Sequence, residues 1–300
     1  MRVTDQNRIL LKDEYLASKH VTGFSKFLSE YMNDSTKEFK HNYRNIKKNT
    51  EWKCDKLANA FQHYEWRVKD CFSNIATGES FESNNKVLLF LRARLENYIL
   101  NKSPRDLKNA AIDVMKWGGT VNGNKPFIDE LYTTNKIINY FKDAITFFSK
   151  DSFDEDQFKT LKLRSNAGFT KIYSLLNNNF IIYDSRVAAA LTLLVLSYCK
   201  NNDLKCVPVE LLFCVMPAKE DKKAQHHKCR NPSQQTLNFP MMNNNHLVHA
   251  RSNVMANWLI ECSLAKGGFL LNGKGSDDFR ALEAALFMIG YDLSHSTILQ

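Results

Sequence analysis

The sequence predicts an all-α protein, and three observations support this. Apolar residues recur at three- and four-residue intervals in several segments, among them residues 87–100 and 281–289. Helix start and stop signals flank such segments: Ser103-Pro104 is typical of a first turn, and Gly118-Gly119 is typical of an end. No segment shows a convincing alternation of apolar and polar residues, so no strand is expected.

Composition limits the class of protein further. A chain of 300 residues with 44% hydrophobic content can form one large domain, and its formal net charge of +9 favours a polyanionic partner. The seven cysteines are odd in number and irregularly spaced, which is typical of free thiols in a reducing compartment. The N-terminus lacks an apolar signal segment, and the apolar run 187–198 is too short to span a bilayer. A cytoplasmic protein without membrane contact is therefore expected.

Two regions are predicted, divided near residue 80. Residues 1–80 form a basic, aromatic-rich helical region, and residues 81–300 form the main helical domain. Basic residues such as Arg67 are interleaved with aromatic residues such as Trp66, as in a groove that binds nucleic acid. An amphipathic helix with a solvated face is the other interpretation.

The segment 161–200 contains the clearest local pattern. A helix with apolar residues at helical spacing ends at Asn177-Asn178-Asn179, and an extended apolar stretch follows over 180–183. Asp184 stands where an N-cap belongs, ahead of a long helix that is apolar on nearly every face. A simple cap stabilises a helix by about 1 kcal/mol, so a structural role for Asp184 is one interpretation.

The sequence Trp117-Gly118-Gly119 also permits two interpretations. It can be a helix end with a core tryptophan, or a loop whose backbone approaches a ligand beside a stacking ring.

The stretch NAGFTKIYSLLNNNFIIYDSRVAAAL resembles proteins with the 8-oxoguanine DNA glycosylase fold, a helix-hairpin-helix-type family that includes antiviral DNA glycosylases. MKWGGT, NVMANWL and ALEAALFMIGYDL extend the resemblance more weakly, over roughly the last two thirds of the chain. It implies a glycosylase-like core with an N-terminal helical extension. The implied activity is flipping a modified base out of duplex DNA and hydrolysing its N-glycosidic bond to leave an abasic site.

The resemblance also implies roles for particular residues. Asp184 matches the catalytic aspartate of the family, which follows a short extended stretch at the start of a helix. The implied base pocket consists of Trp117, Gly118, Gly119, Tyr183, Asn257 and Trp258. The implied DNA-binding residues are Arg164, Ser165, Asn166, Gly168, Lys171, Arg186 and Arg230.

Lys171 raises the question of lyase activity, because bifunctional glycosylases use a lysine amine to form a Schiff base with the sugar. In the family that lysine lies further upstream, at positions that correspond here to Ser165 and Asn166. A phosphate contact or a solvated side chain is therefore expected for Lys171, together with a monofunctional enzyme.

The resemblance implies one of two classes of target base. The target is a bulky phage cytosine such as glucosylated hydroxymethylcytosine, in anti-phage defence, or 8-oxoguanine in repair. A catalytically inactive DNA-binding module and a helical protein-interaction subunit are the rival interpretations.

The hairpin turn of the glycosylase family and the four-cysteine iron–sulfur spacing of some of its members are absent from this sequence. His226, His227 and Cys229 fit no closed zinc site, so no cofactor or metal is expected.

Overall fold

The computed structural model describes residues 9–33, 37–45, 48–68, 78–218, 227–268 and 278–300. The described residues are 56% helical and 8% strand, so the predicted helical class is confirmed in its main feature. The twelve α-helices within the described residues are α1 (Lys12–Ala17), α2 (Lys19–Asn33), α3 (Leu57–Gln62), α4 (Phe81–Leu100), α5 (Pro104–Trp117), α6 (Lys125–Thr133), α7 (Ile137–Phe148), α8 (Glu155–Thr160), α9 (Phe169–Leu176), α10 (Ser185–Asn201), α11 (His246–Leu264) and α12 (Asp278–Ile289). None of these helices is long and apolar enough to cross a membrane.

Two small antiparallel sheets correct the expectation that the chain has no strand. β1 (Ile9–Leu11) pairs with β4 (Ser152–Asp154), and β2 (His41–Asn45) pairs with β3 (Thr50–Cys54). The second pair is held by Tyr43 and Trp52, which lie opposite each other with ring centroids 4.8 Å apart. Strands of three and five residues are too short to show a clear alternation of apolar and polar residues. The basic residues between the apolar ones give a pattern that is also typical of the solvated face of a helix.

Two helix boundaries also differ from the prediction. A serine ahead of residues 153–161 predicts a helix that Ser152 opens. Ser152 instead belongs to β4, and Asp154 caps α8 by accepting hydrogen bonds from the Asp156 and Gln157 amides. α4 begins at Phe81 behind the Ser80 cap, so its first turn occupies the stretch 78–85 where a boundary between regions is expected.

The described part of residues 1–80 packs into the same core as the rest of the chain. α2 lies against α10 and α11, and α3 lies against α12. The contact between α2 and α10 is close at Gly23, where an added Cβ would lie 2.4 Å from the Tyr198 hydroxyl. The segment after α3 then crosses to α5, where the Trp66 indole donates a hydrogen bond to the Trp117 carbonyl oxygen.

α10 is the central helix of the fold. Its residues from Val187 to Cys199 are all buried, as its uniformly apolar sequence predicts. α12 packs across it, and the residue after α12, Gly290, lies directly against the first turn of α10. This packing places the N-terminus of α10, and therefore Asp184, at the meeting point of several distant segments.

A buried histidine makes the fold sensitive to acid. His41 is 1% exposed, its Nε2 donates a hydrogen bond to the Ile289 carbonyl oxygen, and burial lowers its pKa to about 4. An unfolded chain takes up this proton near pH 6.5, so the free energy of unfolding is expected to fall between pH 6.5 and about 4, by about 3 kcal/mol from His41 alone. Urea unfolding at several pH values measures this, and His41→Gln is expected to flatten the curve. Parallel curves for the two proteins would contradict the assignment to His41.

Candidate functional site

A cavity with aromatic walls opens beside the N-terminus of α10. It encloses about 540 Å³ of space, a figure that includes the solvent at its mouth. Its wall combines segments from most of the chain. The lining residues are Tyr64, Trp66, Phe81, Asn84, Asn85, Leu88, Trp117, Gly118, Lys171, Ile182, Asp184, Val187, Arg280, Glu283, Ala284 and Phe287.

Asp184 is both a helix cap and a wall residue of this cavity. Its Oδ1 accepts hydrogen bonds from the Arg186 amide at 2.9 Å and the Val187 amide at 3.1 Å, which confirms the predicted N-cap. Its Oδ2 lies 3.8 Å from the Lys171 Nζ, and 14% of the side chain remains exposed. One oxygen therefore fixes the carboxylate on the helix, while the second is available to a ligand.

Lys171 is not the solvated lysine that the sequence analysis expects. Its side chain is 6% exposed, and its Nζ donates a hydrogen bond to the Ala167 carbonyl oxygen at 2.8 Å. Burial lowers the pKa of Lys171, although the Asp184 carboxylate opposes this shift. Gly118 makes room for the side chain, because an added Cβ there would lie 2.2 Å from the Lys171 Cδ.

Trp117 is held by a hydrogen-bonded triangle that the sequence analysis missed. Its indole N–H donates to the Asn84 Oδ1 at 2.9 Å, and the Asn84 amide donates to the Trp66 carbonyl oxygen at 2.9 Å. The Trp66 indole closes the triangle by donating to the Trp117 carbonyl oxygen at 3.1 Å. The available signal was Asn84 itself, a polar residue on the apolar stripe of α4.

A buried ion pair forms another part of the wall. The Glu283 Oε1 accepts a hydrogen bond from Arg280 at 2.5 Å, and its Oε2 accepts one from the Ile182 amide at 2.7 Å. Burial raises the pKa of Glu283. This pair fixes α12 against the extended segment before Asp184. A single glutamate inside an apolar helical stripe was the signal for it.

Four of the predicted pocket residues lie elsewhere. The Tyr183 hydroxyl donates to the Cys214 carbonyl oxygen in the core, and the Asn257 Oδ1 accepts from the Ile181 amide. Trp258 is buried with its ring 6.1 Å from that of Tyr15. Gly119 turns the chain with φ of +65° and is not a wall residue. Trp117 and Gly118 are the predicted pocket residues that do line the cavity.

The predicted hairpin residues are largely occupied by internal contacts. Ser165 is 1% exposed and hydrogen-bonds to His249, so its side chain lies in the interior. The Asn166 Oδ1 accepts hydrogen bonds from the Gly168 and Phe169 amides at the start of α9, and Gly168 is itself buried. The Arg164 guanidinium lies 3.9 Å from the centre of the Phe127 ring and remains half-exposed.

Two arginines add positive charge beside Asp184. The Arg186 guanidinium lies 4.2 Å from the Phe287 ring centre, and Arg230 donates hydrogen bonds to the Ser185 hydroxyl and the Tyr291 carbonyl oxygen. Burial lowers the pKa of both, and the charge of Arg186 helps to lower that of Arg230 to about 10. Neither forms an ion pair within 4 Å in the part of the chain that the structure describes.

The remaining basic and metal-binding candidates are only partly described. Lys219, Lys222, Lys223 and His226 lie outside the described residues. Within the described ranges, no group of three or more histidine, cysteine, aspartate or glutamate side chains could hold a metal ion.

Comparison with known proteins gives no counterpart for this arrangement. No protein-family model, curated protein or solved structure matches the chain. The resemblance to the glycosylase family therefore stays a prediction from the quoted segments, and the function is inferred from the geometry of the site.

Proposed function

We propose that the protein is a DNA N-glycosidase that accepts an extruded modified base in the aromatic cavity. The observation that carries this proposal is the Asp184 carboxylate in the wall of a cavity with aromatic sides, held by two amides of α10. A flipped base needs a pocket with aromatic faces and a few polar groups. Cleavage of its bond to the sugar needs an anion close to the sugar.

Asp184 supplies that anion. As the bond between C1′ and the base nitrogen breaks, its electron pair leaves with the base, and positive charge develops on the sugar. The Oδ2, which accepts neither amide hydrogen bond, stabilises this charge and orients a water molecule, whose oxygen bonds to C1′. The water loses one proton and the departing base gains one, so the products are the free base and an abasic site. The two amide hydrogen bonds keep the carboxylate in place throughout.

The surroundings of Asp184 suit a polyanion. Lys171, Arg186, Arg230 and Arg280 bring four positive charges to the surroundings of Asp184, where the carboxylates of Glu283 and Asp292 also lie. Phosphates of a DNA strand would be attracted to these side chains, and the net charge of +9 acts in the same direction. DNA affinity is accordingly expected to decrease steeply with salt concentration.

The proposed substrate is a modified base in duplex DNA, with hypermodified phage cytosine favoured over 8-oxoguanine on the family resemblance. Purified protein is incubated with plain duplex, duplex containing 8-oxoguanine, and phage DNA with glucosylated cytosines, and abasic sites are counted. Abasic sites in only one preparation identify the substrate class. The absence of abasic sites in all three, together with tight salt-sensitive binding, would favour the inactive DNA-binding module.

The position of Lys171 favours a second activity at the same site. Its buried amine lies beside Asp184, and the lowered pKa increases the neutral, nucleophilic fraction. Attack of the amine on C1′ expels the base, and opening of the sugar ring then gives an imine between Lys171 and the sugar. β-Elimination from this imine cleaves the strand on the 3′ side.

Reduction with borohydride tests this second activity. Borohydride converts the imine to a stable amine, so a covalent protein–DNA product is expected for the wild type and is expected to be lost in Lys171→Met. Lys142→Met, on an exposed face of α7, serves as the control and is expected to trap normally. Abasic sites that form without any trapped product would show that the enzyme is monofunctional.

A further inference from the structure

α4 presents one stripe of side chains to the cavity. Phe81, Asn84, Asn85 and Leu88 all line it, at the three- and four-residue spacing of one helix face. Two of these residues are apolar, as a buried stripe requires. The other two carry amides, and their hydrogen bonding differs.

Two of the other polar side chains of the wall, Asn84 and Glu283, are occupied by hydrogen bonds within the protein. Asn84 donates to the Trp66 and Ser80 carbonyl oxygens and accepts from the Trp117 indole. The two oxygens of Glu283 accept from Arg280 and from the Ile182 amide. These side chains hold the cavity together and have little hydrogen-bonding capacity left for a ligand.

Asn85 differs from these side chains. It is half-buried, and within the described residues its amide has no hydrogen-bond partner. Because Asn85 lines the cavity and is not fully buried, its donor and acceptor can be reached by a ligand inside it. The amide therefore suits a ligand that has a polar edge.

We infer that Asn85 is a specificity-determining residue that pairs with the edge of the bound base. This inference rests on the proposed function. The carboxamide offers one acceptor and one donor side by side, and this pattern matches a base edge with a neighbouring donor and acceptor. The aromatic side chains contact the faces of the base, and the Asn85 amide hydrogen-bonds to its edge.

The experiment compares the wild type with Asn85→Leu, which keeps the side-chain volume and removes the amide. The variant is expected to fold with an unchanged melting temperature, because Asn85 makes no hydrogen bond within the described residues. Its rate of abasic-site formation on the active DNA preparation is expected to fall on the order of tenfold or more. Its affinity for plain duplex DNA is expected to stay the same. Asn97→Leu, on an exposed face of the same helix, is the control.

The outcomes separate this inference from the proposed function. Normal excision by Asn85→Leu overturns the role of Asn85 and leaves the glycosidase intact. If the wild type excises nothing, the glycosidase fails, and the cavity is probed by quenching of tryptophan fluorescence with free cytosine, 5-hydroxymethylcytosine and 8-oxoguanine. Quenching of the wild type that weakens in Asn85→Leu supports base recognition by Asn85. Equal quenching in both proteins, or none, overturns it.

Discussion

Asp184→Asn is expected to abolish base excision while the protein stays folded. Asparagine caps helices about as well as aspartate, so the two hydrogen bonds to the first turn of α10 are kept. The negative charge near the sugar is lost, and with it the stabilisation of the oxocarbenium-like transition state. Loss of one such electrostatic group reduces rates on the order of a hundredfold to a thousandfold. The measurement is the single-turnover rate of abasic-site formation.

Asp154→Asn provides a matched control for this prediction. Asp154 caps α8 in the same way, by accepting from two backbone amides, but it does not line the cavity. Both variants are expected to melt within about 2 °C of the wild type, since a conservative cap exchange changes stability by well under 1 kcal/mol. Equal activity of the two variants would show that Asp184 has only a structural role.

Gly290→Ala is expected to be the most destabilising single-methyl change near the site. An added Cβ would lie 1.8 Å from the Arg186 carbonyl oxygen and 2.5 Å from its carbon, and both are backbone atoms in the first turn of α10. Since backbone atoms cannot rotate away, the end of α12 must separate from α10. The expected loss is more than about 3 kcal/mol in the free energy of unfolding, measured by urea denaturation.

Gly123→Ala tests whether this loss comes from the close contact. Nothing lies within 4 Å of a Cβ added at Gly123, and its φ is not in the left-handed region. This variant is expected to differ from the wild type by less than about 0.5 kcal/mol. A loss in Gly290→Ala no larger than that in Gly123→Ala would show that α12 and α10 do not pack as described.

The sequence was informative where local patterns determine structure. α10 and its Asp184 cap were predicted because a capping residue followed by a continuous apolar run is a local signal. The segment before it shows the limit of such reasoning. Successive residues of an extended chain point to opposite sides, so Ile182 lines the cavity while Tyr183 points into the core. Nearness in sequence to Asp184 could not decide between them.

The rest of the site depends on contacts between distant segments. Trp66, Lys171 and Glu283 come from three parts of the chain, and no local pattern relates them. Lys171 is buried beside Asp184 and is not solvated, because its distance in sequence from Asp184 does not fix its distance in space. Asn257 and Trp258 were misplaced for a similar reason: α11 is buried on most faces, so its sequence does not show which face meets the cavity.

The most direct test is to quantify free base and abasic sites in the same reaction, by mass spectrometry of the released base, for the wild type and Asp184→Asn. The DNA is the glucosylated phage preparation, with the 8-oxoguanine duplex in parallel. We expect the wild type to release one modified base for each abasic site, and Asp184→Asn to release almost none while still binding the DNA. Undetectable base release by the wild type from both DNAs, or equal release by both proteins, would contradict a glycosidase centred on Asp184.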